Sequence, residues 1–251
     1  MKGKLIVFEG IDGSGKTTQA SMLEDQLMKN GIDVRWEREP TDGPVGRMLR
    51  NDLLSGNECI APIVMDQLFL LDREDHMSSI TEYINAGVTV ICDRYVLSSL
   101  VYRTAWSIDQ FTEKAFNTMI LGEYGKVMLT DIRPIMPDLT IYIDTKPDTA
   151  MKRLNTRGGE KSIYETMNKL NNIYRTYDAV LNITTSQVIN ISSSESYTIN
   201  NVGSLDLHTS NRNSTVIPPM KVIRIDGEND EKSIHETVLS LVRCLMKGSE
   251  G

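Results

Sequence analysis

Short apolar runs separated by longer amphipathic stretches organise most of this chain. Lys4 to Glu9, Val34 to Glu37, Thr89 to Asp93, Leu139 to Asp144 and Lys221 to Asp226 are brief, rich in Val and Ile, and mostly uninterrupted. Runs of that kind suit strands covered on both faces, since a half-exposed strand would alternate apolar and polar positions. Helix-like patterns lie between them: Thr17 to Lys29, Pro44 to Leu54, Ile63 to Ala86, Ile108 to Leu121, Pro147 to Asn155, Ser162 to Leu181 and Asp230 to Lys247. The alternation predicts an α/β fold, a doubly wound parallel β-sheet flanked by helices, with ligands at the carboxyl ends of the strands. Glu39, Asp93 and Asp144 fall at or just beyond such ends.

Residues 183–220 break the pattern with crowded Ser, Thr and Asn, as in Ser192-Ser193-Ser194. Such a stretch buries little apolar surface. Val188-Ile189-Asn190-Ile191 and Tyr197-Thr198-Ile199 nevertheless alternate enough for a small hairpin. Two readings stand, a partly flexible surface insertion or an ordered β excursion, within one domain spanning residues 1–251.

With 251 residues, 40% hydrophobic and 24% charged, the chain can bury a full core without disulfides or metal. Its net charge of −7 and lack of a dense Lys/Arg run exclude a broad nucleic-acid footprint. Cys59, Cys92 and Cys244 are far apart and form no CxxC, which reads as reduced thiols of a cytoplasmic protein, Cys92 within a strand. No secretory-type leader opens the chain and no 18-residue apolar span occurs, so neither secretion nor membrane insertion is expected.

Candidate chemistry sharpens the picture. Gly10-Ile11-Asp12-Gly13-Ser14-Gly15-Lys16-Thr17-Thr18 matches GxxxxGK[ST], and it follows the apolar run Leu5-Ile6-Val7-Phe8 and opens a helical pattern. In that context backbone N–H groups curl around the β-phosphate of ATP or GTP, Lys16 reaches β and γ oxygens, and the Thr17 hydroxyl can ligate Mg²⁺. The fold class narrows to that of P-loop nucleoside triphosphate hydrolases. Asp93, ending a buried run, is placed to hold Mg²⁺ directly or through water, and Arg94 beside it offers a planar fork to a phosphate. On spacing alone the plainer reading wins, Asp93 capping the next helix with Arg94 as its ion-pair partner, because Asp-Arg-Tyr is a short and frequent tripeptide.

The order of motifs says more. Phe8-Glu9-Gly10 through Thr18-Gln19, Arg38-Glu39-Pro40, Phe69-Leu70-Leu71-Asp72-Arg73, Asp93-Arg94-Tyr95 with Ser98-Ser99 and Tyr102, Pro137-Asp138 through Asp144, Arg153, Arg157-Gly158 and Ile225-Asp226 follow one another over residues 1–182 and 221–247. In this the chain resembles the thymidylate kinase family, nucleoside monophosphate kinases that transfer the γ-phosphoryl of ATP to dTMP. The resemblance implies a homodimer with a role for each matching residue. Phe69 stacks on thymine, Arg73 donates to its O4, Ser99 faces the base, Tyr102 disfavours a 2′-hydroxyl, and Asp12 contacts the 3′-hydroxyl region. Glu39 belongs to the acceptor site, and Arg50 and Arg94 bind the acceptor phosphate. Arg153 and Arg157 clamp the transferring group from a lid of about residues 153–164, because Gly13-Ser14 leave no arginine inside the phosphate loop. The adenine-contacting loop falls near Gly227-Glu228-Asn229, which makes residues 183–220 a peripheral flap near the donor base. The motifs leave open a kinase for another deoxynucleoside monophosphate or deoxynucleoside, and a non-catalytic P-loop nucleotide switch.

Overall fold

The computed structural model describes residues 2–56, 60–105, 108–129, 135–158, 162–191, 197–201, 206–207, 215–216 and 220–247. Its elements run β1 (Leu5–Glu9), α1 (Lys16–Lys29), β2 (Val34–Arg38), α2 (Pro44–Met48) continued by a π-helical turn over Leu49–Leu53, α3 (Pro62–Asn85), β3 (Thr89–Asp93), α4 (Val96–Thr104), α5 (Glu113–Leu129) and β4 (Leu139–Asp144). They continue with α6 (Pro147–Arg157), α7 (Met167–Thr184), β5 (Thr185–Ile191), β6 (Tyr197–Asn201), β7 (Asp206–Leu207), β8 (Thr215–Val216), β9 (Met220–Asp226) and α8 (Glu231–Lys247). Among the described residues no helix is long and apolar enough to cross a membrane.

The main sheet has the order β2-β3-β1-β4-β9-β5-β6. The expected strands β2, β3, β1, β4 and β9 pair in parallel, with β1 central: Val7 registers with Cys92 on one side and Thr140 on the other. Successive side chains of a strand point to opposite faces, and both faces are filled here. Ile6 and Phe8 pack with Ala20, Leu23 and Val238 of α1 and α8, while Leu5 and Val7 pack with Leu97, Leu100, Ile120 and Tyr177 of α4, α5 and α7. That two-sided burial is why the strands read as continuous apolar runs. Pro44, Pro62 and Pro147 open α2, α3 and α6, where a missing N–H costs nothing.

Three differences from the sequence pattern bear on the site. Helix α4 was not expected, α5 begins and ends later than Ile108 to Leu121, and α7 begins at Met167 rather than Ser162. Residues Ser162 to Thr166 instead form turns, with Glu165 N donating to Ser162 O and Ile163 N to Leu54 O. The described part of the polar tract follows the ordered reading. Strand β5 pairs parallel to β9 and antiparallel to β6, with Ile189 opposite both Ile223 and Ile199. It extends the sheet on the side of β9, with β4 and β9 between it and β1.

Candidate active site

The phosphate loop joins β1 to α1. Gly13 has φ 79°, and a Cβ there would stand 2.5 Å from Ala150 O, so the turn demands glycine both for conformation and for space. Within the loop, buried Lys16 donates from Nζ to Ile11 O (2.7 Å) and approaches Ser14 Oγ (3.4 Å). Burial first, and then the Arg94 charge, pull the Lys16 ammonium down to about 8, against the opposing carboxylates Asp93, Asp12 and Glu9. A cation desolvated in this way gains most when a polyanion arrives.

At the start of α1, Thr17 Oγ1 donates to Asp93 Oδ2 (2.5 Å). Asp93 Oδ1 is buried and has no partner among the described residues. A hydroxyl oxygen and an unsatisfied carboxylate oxygen beside a phosphate loop form the hard oxygen pair that Mg²⁺ prefers. The residues therefore fit the ion.

Arg94 is, among the described residues, the non-glycine position with positive φ (74°). That backbone turns its side chain back over the phosphate loop, where Nη2 donates to Asp12 Oδ1 (2.5 Å) and Nη1 to Gly10 O (3.3 Å) and Ser98 Oγ (3.2 Å). Burial opposes its charge, but the Tyr102 hydroxyl and the Asp12 carboxylate outweigh it and hold the guanidinium well above its usual range. For Asp12 burial works upward, and Arg94, Lys16 and the Tyr102 hydroxyl (3.0 Å to Oδ2) together bring its carboxyl below the ordinary value. Both groups are ionised near neutral pH.

Next to the loop opens a cavity of about 400 Å³. Asp12, Arg94, Ser99 and Tyr102 line it, joined by Glu39, Arg50, Phe69 and Arg73, so the structure gathers every residue expected at the acceptor. Phe69 and Arg73 share a face of α3 at i,i+4 spacing. Phe69 is half-buried against Leu49, Leu53 and Met65. Arg73 is 3% exposed; it donates from Nε to Glu39, from Nη2 to Glu39 and Tyr95 O (2.9 Å), and from Nη1 to Ser99 Oγ (2.6 Å). Glu39 is thus engaged by Arg73 and also by His76, so its part in the cavity is to hold Arg73. Arg50 sits on the π-helical turn and donates to Pro40 O and Asp42 Oδ1.

Arg153 belongs to α6, and its guanidinium bridges Ser14 O (3.1 Å) and Gly227 O (2.9 Å), tying the phosphate loop to the loop after β9. Here it holds the two loops together. Arg157 ends α6, is 59% exposed at its side chain, and pairs with buried Glu165 (2.9 Å). Gly159 and Lys161 lie outside the described residues, while Ser162, Tyr164 and Glu165 line the acceptor cavity. Tyr164 meets the Tyr102 ring edge-on at 4.9 Å.

Some organising groups carried no assigned role. Glu9, fully buried at the end of β1, accepts from Tyr95 N (2.9 Å), Ser98 N (3.1 Å), Ser98 Oγ (2.5 Å) and Tyr177 Oη (3.0 Å), and so fixes the start of α4 beneath Arg94. Asp72 accepts from Thr41 N (2.8 Å) and Oγ1 (2.6 Å), fastening the segment after β2 to α3. An acid closing an apolar run just before the phosphate loop was the available signal for Glu9. Asp72 lay inside the Phe69 to Arg73 motif without a role of its own, and nothing local marked His76.

A glycine-built phosphate loop after the central strand, a Thr17–Asp93 oxygen pair and an adjoining cationic cavity define the P-loop kinase fold. The thymidylate kinase family model matches residues 8–202, and this chain belongs to that family, whose members are phosphotransferases. The match runs into the polar tract, covering β5 and β6. The thymidylate kinase of Thermoanaerobacter sp. (strain X514) is 38% identical over 162 residues, 64% of this chain and 75% of that protein. A probable thymidylate kinase of Methanococcus aeolicus is 37% identical over 179 residues, 71% of this chain and 80% of the relative. The solved thymidylate kinase of Candida albicans superposes with a TM-score of 0.59 at 25% identity, covering 72% of this chain and 78% of that one.

Proposed function

We propose that this protein is a thymidylate kinase that transfers the γ-phosphoryl of ATP to dTMP, giving dTDP and ADP for deoxynucleotide synthesis in the cytoplasm. The observation that carries the reading is the cavity itself, which Phe69, Arg73, Arg50 and Arg94 all line and which Asp12 links to the phosphate loop.

The acceptor's attacking atom is a phosphate oxygen, anionic near neutral pH, so catalysis reduces to alignment and charge neutralisation. Backbone amides of residues 10–18 and Lys16 hold the donor phosphates. Arg94, with Arg50, holds the acceptor phosphate, Asp12 meets the 3′-hydroxyl region, and Tyr102, bonded to Asp12, disfavours a 2′-hydroxyl. Phe69 stacks on thymine, and Arg73 with Ser99 meets its edge, O4 taking the N–H donor. Thr17 and Asp93 would hold Mg²⁺, which supplies charge neutralisation on the donor phosphates. Arg157, exposed at the end of α6, would exchange Glu165 for the transferring group. For the assembly, Val64 and Leu71 stand exposed one heptad apart on α3, an apolar face suited to a second copy. Light scattering is expected to give a dimer mass, and a monomer at micromolar concentration would refute it.

Steady-state ADP release with dTMP, dUMP, dCMP or thymidine, each with Mg²⁺-ATP, tests the assignment. Turnover stimulated most by dTMP is expected. Slow turnover indifferent to the acceptor would mark a nucleotide switch instead.

A further inference from the structure

His76 is buried on α3, one turn beyond Arg73 and outside the cavity lining. Its Nδ1 lies 3.1 Å from Glu39 Oε1. Its Nε2 has no hydrogen-bond partner among the described residues and stands 3.7 Å from Glu37 Oε2. Burial works to raise the Glu39 carboxyl, but Arg73 and His76 outweigh it and bring it below the ordinary value, so Glu39 is an ionised, acceptor-only group. The proton between the two residues therefore sits on His76 Nδ1.

A guanidinium has five N–H donors in a rigid fork. In Arg73 the Nε donor and both Nη2 donors go to Glu39 and Tyr95 O, and one Nη1 donor goes to Ser99 Oγ, which leaves a single Nη1 donor for a ligand. The direction of that donor depends on Glu39 together with Tyr95 O and Ser99 Oγ. Among the described residues, the Glu39 carboxylate has two partners, Arg73 and His76. A group held solely by the residue it orients would fix nothing, and His76 is the independent anchor.

We propose that His76 is a positioning residue for base selection: by holding Glu39 it aims the remaining Arg73 donor at a carbonyl acceptor on the pyrimidine and so discriminates a 4-oxo from a 4-amino base. The proposal rests on the dTMP reading of the cavity. Outer partners that orient a binding group characteristically matter about tenfold or more when removed.

The test compares kcat/KM for dTMP and dCMP in the wild type, His76→Leu and His76→Asn, with thermal unfolding to confirm folding. His76→Leu is expected to lower the dTMP-to-dCMP ratio about tenfold, mainly through the KM for dTMP. His76→Asn, which returns an N–H near the Nδ1 position, is expected to recover most of that ratio. Should the leucine variant not fold, His76→Gln replaces it, since its amide reaches the Nε2 position and leaves Glu39 unheld. An unchanged ratio in His76→Leu or His76→Gln, or equal loss in His76→Asn, overturns the proposal. A wild type that does not prefer dTMP would instead overturn the acceptor assignment, an outcome visible before any variant is made.

Discussion

The phosphate cradle lies almost entirely on residues 10–18, whereas the cavity beside it draws on Asp12, Glu39, Arg50, Phe69, Arg73, Arg94, Ser99 and Tyr102. The first is local: one strand end, one glycine turn and one helix start aim backbone donors at a common point. The second is long-range. Arg73 reaches Glu39 across 34 residues and Arg94 reaches Asp12 across 82. A backbone cradle binds any nucleoside triphosphate, while a cavity of side chains set by distant partners can choose among bases. The two halves are therefore different kinds of construction.

The sharpest way to break this contrast is at Lys16. Its ammonium is the side-chain cation within the loop, and Lys16→Ala is expected to cost ~10³-fold or more in turnover with the fold intact. Near-wild-type ADP release would mean that backbone donors suffice. A smaller effect is expected from base choice in the unmodified protein: dTMP should exceed dCMP by at least ~10²-fold in kcat/KM, because a 4-amino group would face the donor of buried Arg73. Equal efficiencies would strip the cavity of its selecting role.

Lys16 also gives the donor half a pH signature. Free Lys16 loses its proton near pH 8. Bound phosphates favour the charged form, so binding takes up a proton and ATP affinity falls as pH rises through that value, by about tenfold between pH 7 and 9. Calorimetry in buffers of different ionisation enthalpy would register the uptake, and a pH-independent Kd would remove it. The smallest effect is expected at the sheet edge. Strand β5 completes the pairing of β9 and must stay, but replacing residues 192–217 with about ten Gly/Ser residues spans the strand length at ~3.3 Å per residue. Turnover should stay within about threefold. Loss by orders of magnitude in a folded variant would bring the tract into the site.

Several elements were legible before any coordinates. The five parallel strands, the phosphate loop, Thr17 beside Asp93 and the convergence of Phe69, Arg73 and Arg94 follow from apolar runs and from motif order. Helix α4 escaped although Leu97, Leu100, Val101 and Thr104 recur on its buried side at helical spacing, because its 9 residues are fewer than the window over which a helical period stands out. The start of α7 was misread because Ser162 to Glu165 have a helical pattern, yet the turn they make closes the cavity.

Arg153 shows where local reading stops. Its place on the chain suggested a mobile clamp, but the carbonyls of Ser14 and Gly227, supplied by remote loops, capture it. Likewise the partners of Glu39, Arg73 and His76, come from a distant helix that its own position on the chain does not announce. What the sequence by itself determined is the set of elements and the chemical groups available, because secondary structure and backbone phosphate binding depend on near neighbours. Tertiary structure alone decided which carboxylate neutralises which guanidinium, and hence which donors remain for a substrate. Charges brought together from distant positions settle their partners only when burial removes water and fixes their geometry.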